Sequence, residues 1–403
     1  MPDGALSHIR VLDFTTQIAG PYCTKLLADY GAGVIKVERP GAGDAARGLG
    51  PFPGDIPHPE KSGLFLHLNT NKRSITLDLK SKAGQKIAKQ LAAEVDLVVE
   101  NFRPGVMDRL GLGLGALQES NPRLVMTSIS NFGQTGPYRD FKSSDILVYS
   151  MGGEMHSTGL SDREPVKLGA NVVLYQAGSV AAVGSAGALF LSQDDGPGQH
   201  VDVSIMETQT GSVDRRMSAL VGYQYTGELS ARIPFGAAGY PIGVYPCEDG
   251  YFEVTGGLIY FPRVVRMLGD PPELLEPRWY TPESQTDPEL KEEFEAHFLS
   301  WTIQRSKAEA WRAAQESDVL SGPLNTMEDV ANDQQFIGRG AFAQIDHPVA
   351  GSLKYPGRPF VMTESPWEIR RPAPLLGQHN GEILQELGYG PGDQVRLRAQ
   401  GVI

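Results

Sequence analysis

Cysteine is nearly missing: Cys23 and Cys247 are the two in 403 residues. Two thiols so far apart supply neither a disulfide framework nor the paired spacing of a zinc site. Histidine is scarce as well, and the eight present, among them His156, His200, His347 and His379, show no paired ligand spacing. No Gly-x-Ser-x-Gly elbow occurs, which leaves a serine hydrolase without local support. Positive charge is in deficit, with 36 Lys and Arg against 48 Asp and Glu for a net charge of -12. That balance argues against general binding to nucleic acid or an anionic membrane, and it requires any anion site to gather its cations locally. The opening stretch Met1-Pro-Asp-Gly-Ala-Leu6 carries an acid and no apolar run, so the expectation is no secretory signal and a reducing, cytoplasmic setting.

Charge is also missing over one long stretch. Leu168 to Gln193 holds no charged residue and is long enough to span a bilayer. Its Asn171, Gln176, Ser179, Ser185 and four glycines favour a closely packed buried helix over a membrane span. The length exceeds the ~250 to 300 residues at which a single core stops growing, so two lobes are expected.

Short β-rich runs alternate with helical patterns in the first half, the mark of a parallel sheet with crossover helices. Strands are predicted at Arg10–Phe14, Val34–Val37, Ser74–Asp78, Asp96–Val99 and Leu124–Ile129, and helices at Ala19–Tyr30, closed by Gly31, and Lys80–Ala93. Gly111-Leu-Gly-Leu-Gly115 follows a Pro-Gly segment rather than a strand and reads as a turn, not a phosphate loop. From about Thr226 the chain turns aromatic and Gly/Pro-rich, then strand-like at Tyr251–Thr255, then acidic and helical between Asp287 and Ser317. After about Phe336 it reads as extended, Pro-punctuated segments. The fold class expected is α/β: a Rossmann-like large domain over 1–225, a smaller α+β domain over 226–335, and a segment over 336–403.

Several strings occur in an order that resembles the class III CoA-transferases, the family of formyl-CoA transferase and the carnitine and bile-acid CoA-transferases. They include Ala19-Gly-Pro21, Leu27-Ala-Asp-Tyr-Gly-Ala-Gly-Val-Ile-Lys-Val-Glu-Arg39, Asn71-Lys-Arg-Ser-Ile-Thr76, Val99-Glu-Asn-Phe-Arg-Pro-Gly105, Gly133-Gln-Thr-Gly-Pro-Tyr138 and Gly196-Pro-Gly-Gln-His-Val-Asp-Val-Ser204. The resemblance implies that the 336–403 segment rejoins the large domain and that two chains thread together as an interlocked-ring dimer. It implies CoA or an acyl-CoA as substrate, with no metal, nicotinamide or flavin.

The resemblance also assigns residues. Arg39 and Arg109 would meet the nucleotide and phosphates, with Lys80 and Lys142 adding charge. Asn101, Phe102 and Arg103 would wall the pantetheine and adenine, joined by Gln17, Ile18, Leu77, Asp78 and Asp145. Family members attack the thioester with an aspartate four residues before a helix-opening Gly; here that position is Leu174, before Gly178. A nucleophile must be anionic and positioned, and leucine supplies neither. The racemase branch would require a His directly before an Asp-Ile strand, and the chain reads Ser144-Asp145-Ile146. The glycine-rich loop of formyl-CoA transferase is reduced here to Phe235-Gly-Ala-Ala-Gly239. His347 and His379 stand beside family Pro and Gly landmarks, where a structural hydrogen bond is the expected role.

Two readings follow. In one, the chain is a catalytically inactive subunit paired with a paralogous CoA-transferase subunit that carries the aspartate, as in a heteromer resembling benzylsuccinate CoA-transferase of toluene breakdown. In the other, it is a homo-oligomeric acyl-CoA enzyme of isomerase, racemase or lyase type that uses Asp145, Glu154 or Tyr175 as acid or base.

Overall fold

The structure is a computed structural model that describes residues 4–194, 196–211, 214–229, 232 and 239–403. Two compact units emerge. One comprises residues up to His156, Lys167–Leu229 and Gly340–Ile403, and the other Ser157–Val166 and Ser230–Arg339.

The first unit is built on six parallel strands: β1 Arg10–Asp13, β2 Gly33–Glu38, β3 Lys72–Thr76, β4 Leu97–Glu100, β5 Val125–Ser130 and β6 His200–Ser204. Their spatial order is β3-β2-β1-β4-β5-β6, so the chain leaves β1 in one direction and returns to its other side, the topological switch of a doubly wound sheet. Alternate residues feed opposite faces, as strand geometry dictates. Val11, Leu97, Val99 and Val125 join one apolar cluster with Cys23 and Leu27 of the helix Ala19–Asp29. Leu12, Val98, Ile35 and Met126 join the other, with Ile87 and Leu91 of the helix Lys82–Ala92.

Three sequence expectations are corrected. The third strand lies two residues earlier than predicted, because Lys72 is fully buried and takes four partners: Asp13, Thr24, Asn69 and the Pro21 carbonyl. A charged residue with that many acceptors belongs inside a strand that hydropathy alone reads as surface. Asp145-Ile146 opens a helix, Asp145–Met151, rather than a strand, with Ser144 extended at its N-cap. The C-terminal segment is not merely extended; after the hairpin β10 Phe342–His347 and β11 Gly351–Pro356 come the helices Asn380–Glu386 and Pro391–Ala399, too short and too closely flanked by Gly and Pro to announce themselves.

That segment packs on the first unit. Asn380 Oδ1 accepts from the Thr76 amide at 2.8 Å, the Val402 carbonyl accepts from the Asp78 amide at 2.8 Å, and Ile383 and Leu384 enter the second apolar cluster. His379 Nδ1 accepts from the Ser74 amide at 3.0 Å, and His347 Nδ1 accepts from the amides of Val349 and Ala350. Both histidines are therefore backbone clips.

The charge-free stretch forms the helix Val172–Gln193, which is long and apolar enough to cross a membrane. It buries one face only. Ala177, Ala181, Ser185, Ala188 and Ser192 recur at helical spacing and are buried, small enough for close approach to the first helix and the sheet. Gly178 marks the tightest point, where a Cβ would stand 2.5 Å from the Ala19 carbonyl oxygen. The opposite face carries Val172, Val183 and Phe190 in the open, the last two 74% and 78% exposed; the expectation of a wholly buried helix fails on these residues.

The second unit has its own core. β7 Ile242–Cys247, β8 Gly250–Thr255 and β9 Leu320–Pro323 form an antiparallel sheet in that order. Tyr240, Phe252, Phe261, Trp279, Phe294 and Phe298 fill it with stacked and edge-on rings. The acidic helices Pro288–Thr302 and Lys307–Glu316 start at Asp287 and Ser306, each of which caps its helix with a side-chain oxygen.

Candidate functional site

The switch between β1 and β4 opens a crevice at the carboxyl ends of these strands, where doubly wound sheets hold ligands. Two loops meet there, Phe14–Ile18 and Asn101–Gly105. Asn101 joins them: its Oδ1 accepts from the Thr16 amide at 2.9 Å and its Nδ2 donates to the Thr16 carbonyl at 2.8 Å. Gln17 holds a left-handed backbone, φ 68°, unusual for a residue with a Cβ and common where function demands it. Its amide donates to Asp44 Oδ1 at 2.9 Å.

Beneath the loop lies a buried charge network. Lys36 Nζ donates to the Thr15 carbonyl at 2.9 Å and pairs with Asp44 at 2.8 Å, while the Thr15 amide and hydroxyl both donate to Asp13 Oδ1. Burial opposes the charge on Lys36, but the carboxylates of Asp44, Asp13 and Glu38 outweigh it and hold the ammonium above its usual pKa. Burial likewise opposes the Asp13 carboxylate; Lys72 and Lys36 reverse this and hold it well below the ordinary carboxylate range. For Lys72, also fully buried, desolvation outweighs the attraction of Asp13 and, with Lys36 adding, lowers the pKa to about 8. These charges set the loop geometry from below.

Two cavities open onto the loops. The larger, about 610 Å³, is lined by Gln17, Ile18, Asn101, Phe102, Arg103, Arg109, Lys142 and Asp145, and by Leu174. The smaller, about 430 Å³, is lined by Arg39, Leu77, Asp78, Lys80 and again Phe102. All twelve residues singled out as ligand contacts thus line one of two neighbouring cavities, which share Thr16 and Phe102. Sequence reasoning missed Arg139, which lines the larger cavity. Gly105, φ 75°, has Arg109 Nη1 and Arg139 Nη2 at 3.4 and 3.6 Å from where a Cβ would stand. Two guanidinium groups therefore converge over one bare stretch of backbone. The segment carrying Arg139 and Lys142 is anchored where the Gln134 amide donates to Asp202 Oδ2 at 2.8 Å.

Leu174 sits in the first turn of the helix Val172–Gln193, half-buried, with its amide on the Asn171 carbonyl at 3.0 Å. The close approach at Gly178 brings this helix entrance beside the Ile18–Ala19 end of the loop. The other acid/base candidates do not gather there. Glu154 and Tyr175 line a different cavity of about 460 Å³ with Tyr22 and Gln209, whereas Asp145 faces the cavity of Leu174. Tyr175 packs edge-on against Tyr22 at 4.8 Å, and burial, with Tyr22 adding, raises its pKa above the usual phenol value. It is a packed aromatic. The reduced glycine loop Phe235–Gly239 lies outside the described residues except for Gly239. Among the described residues no group of three His, Cys, Asp or Glu is placed to hold a metal ion.

Comparison with known proteins decides the family. Residues 6–380 match the profile of CoA-transferase family III. The chain belongs to that family. It is 34% identical over 422 residues to a formyl-CoA:oxalate CoA-transferase of Bradyrhizobium diazoefficiens, covering 99% of this chain and 97% of that protein. It is 35% identical over 409 residues to a succinyl-CoA–D-citramalate CoA-transferase of Chloroflexus aurantiacus, covering 100% and 99%. Among solved structures, a CaiB/BaiF family protein from Brucella suis superposes with a TM-score of 0.82 at 28% identity, covering 96% of this chain and all of that one. A Mycobacterium tuberculosis protein at 24% identity shares the fold with a TM-score of 0.77, covering 95% of this chain. As a CoA-transferase family III member, the chain has CoA thioesters as its substrate class.

Proposed function

We propose that this chain is the subunit of a heteromeric class III CoA-transferase that lacks its own nucleophile and works beside a paralogue supplying the aspartate. The observation that carries the reading is Leu174. The cavities, the Asn101 clamp and the convergent cations suit a CoA-type ligand, yet an apolar side chain occupies the helix entrance where an acyl group would be taken up. Acyl transfer through a mixed anhydride needs a carboxylate that attacks the thioester carbonyl and releases the CoA thiolate. This chain has none at that position.

On this reading Arg39, Lys80, Arg103, Arg109, Arg139 and Lys142 hold the phosphates, Asn101 and Phe102 line the path of the pantetheine arm, and the partner performs the covalent step. The exposed Val172, Val183 and Phe190 supply an apolar stripe for assembly, in keeping with the interlocked dimer implied by family resemblance. Benzylsuccinate CoA-transferase, assembled from two related subunits, is the specific candidate. Expression alone and together with its paralogue tests the reading: the chain alone should move no CoA between acids, and the pair should. Turnover by a homodimer of this chain would overturn it.

A further inference from the structure

We propose that Lys167 is a positioning residue of the ligand site, fixing the Asp145 carboxylate so that its Oδ1 is left as a hydrogen-bond acceptor for the neutral pantetheine arm of a CoA-type ligand. The inference rests on the CoA-binding reading given above and adds a role for a residue outside the set of cavity contacts.

The Lys167 ammonium meets three acceptors. Asp145 Oδ2 lies at 2.8 Å, the Leu168 carbonyl at 2.8 Å, and the Ala170 carbonyl completes the set. These account for all three ammonium protons. Both side chains of the ion pair are largely buried, 18% exposed for Lys167 and 15% for Asp145. Ala170 has a left-handed backbone, φ 54°, a conformation a residue with a Cβ adopts only when its surroundings hold it there. The helix Val172–Gln193 begins two residues later, with Leu174 in its first turn. One ammonium thus fastens the strained turn at this helix entrance to the first residue of the helix Asp145–Met151.

The pair leaves one atom unanswered. Asp145 Oδ1 is buried and has no hydrogen-bond partner among the described residues, while Asp145 lines the cavity shared by Asn101, Phe102 and Leu174. A buried carboxylate oxygen without a donor is costly and calls for an explanation. The donor it suits is neutral. A phosphate or a substrate carboxylate would be repelled by Asp145, and cations for such groups stand elsewhere in the same cavity, at Arg103, Arg109, Arg139 and Lys142. Pantetheine offers amide N–H groups and a thiol S–H.

A double-mutant cycle separates positioning from general support. CoA and desulfo-CoA are titrated calorimetrically into the full-length protein, as isolated and in complex with its paralogue. The variants are Asp145→Ala, Lys167→Met, the milder Lys167→Gln, and the doubles. Asp145→Ala should weaken CoA about tenfold, the loss of one hydrogen bond to a charged group. Lys167→Met or Lys167→Gln should weaken it comparably in the wild-type background and less than twofold once Asp145 is alanine. A smaller Asp145→Ala effect on desulfo-CoA than on CoA would identify the thiol as the donor, and equal effects an amide. Equal fold-losses from the Lys167 variants in both backgrounds, or none in either, overturn the inference while leaving the CoA-binding reading standing. A wild-type protein that binds no CoA in either form overturns both.

Discussion

The Leu174 side chain lies against the cluster that includes Val173, Ala177 and Phe132, so on the proposed reading packing stands where a charge would act. Leu174→Asp would restore the anion at a cost of about 2 kcal/mol, or would keep the new carboxyl protonated until a ligand arrives. If the surrounding shell is competent, adding acyl-CoA to this variant should give an acyl-aspartate that hydroxylamine traps and mass spectrometry locates at residue 174. CoA binding without any adduct would mean that the surroundings of residue 174 do not support the covalent step. Glu100 offers a second test at this scale. Burial pushes its carboxyl up to about 7, against hydrogen bonds from Ser128 and the Phe102 amide and with help from the charges of Asp108 and Asp202. A folded-state pKa raised above the unfolded value stabilises the protein below the unfolded pKa, and that contribution disappears as pH rises through about 7. Glu100→Gln should therefore gain in melting temperature over wild type on going from pH 5 to pH 8, by the equivalent of at most about 3 kcal/mol. A constant difference across that range would show that Glu100 does not titrate there.

The long helix shows how an element is positioned by what its residues lack. Replacing Gly178 with alanine would gain about 1 kcal/mol of helix propensity, yet the new Cβ would stand 2.5 Å from a backbone carbonyl that cannot rotate away. Overpacking against backbone should win, so Gly178→Ala is expected to lower stability by about 1 to 3 kcal/mol in urea unfolding; a neutral or stabilised variant would remove the close approach from the account of the site. Elements were legible in the sequence where apolar periodicity was strong. Val11-Leu12, Val34-Ile35 and Leu97-Val98-Val99 declare central strands, and Gly31, φ 120°, closes its helix where the pattern places the end. β3 was misplaced because a buried lysine looks like an exposed one until its partners are known. The twelve proposed ligand contacts came from family resemblance rather than periodicity, and Arg139 escaped because its relation to Arg109 exists only across two loops. Asp13, Lys36 and Asp44, which hold the Gln17 loop from below, escaped notice because a charge buried by partners from other elements carries no mark of that in the sequence.

At the scale of the whole molecule the exposed stripe of Val172, Val183 and Phe190 matters most, because residues 11 and 7 apart fall on one helical face. An aspartate at position 190 should leave the monomer folded, since Phe190 is 78% exposed, and should abolish assembly with itself or its paralogue. Sedimentation velocity on Phe190→Asp decides: an oligomer unchanged in size would mean that this face is not the contact.

The bond between the Asp78 amide and the Val402 carbonyl has a consequence for how the protein comes into being. Asp78 helps to wall the smaller cavity, and it is held by a residue that the ribosome adds more than three hundred residues later. A nascent chain whose sheet has already formed still has an unfinished rim, which is complete only after Val402 has left the exit tunnel and docked. On the proposed CoA-binding reading, ligand capture at this cavity waits for that docking.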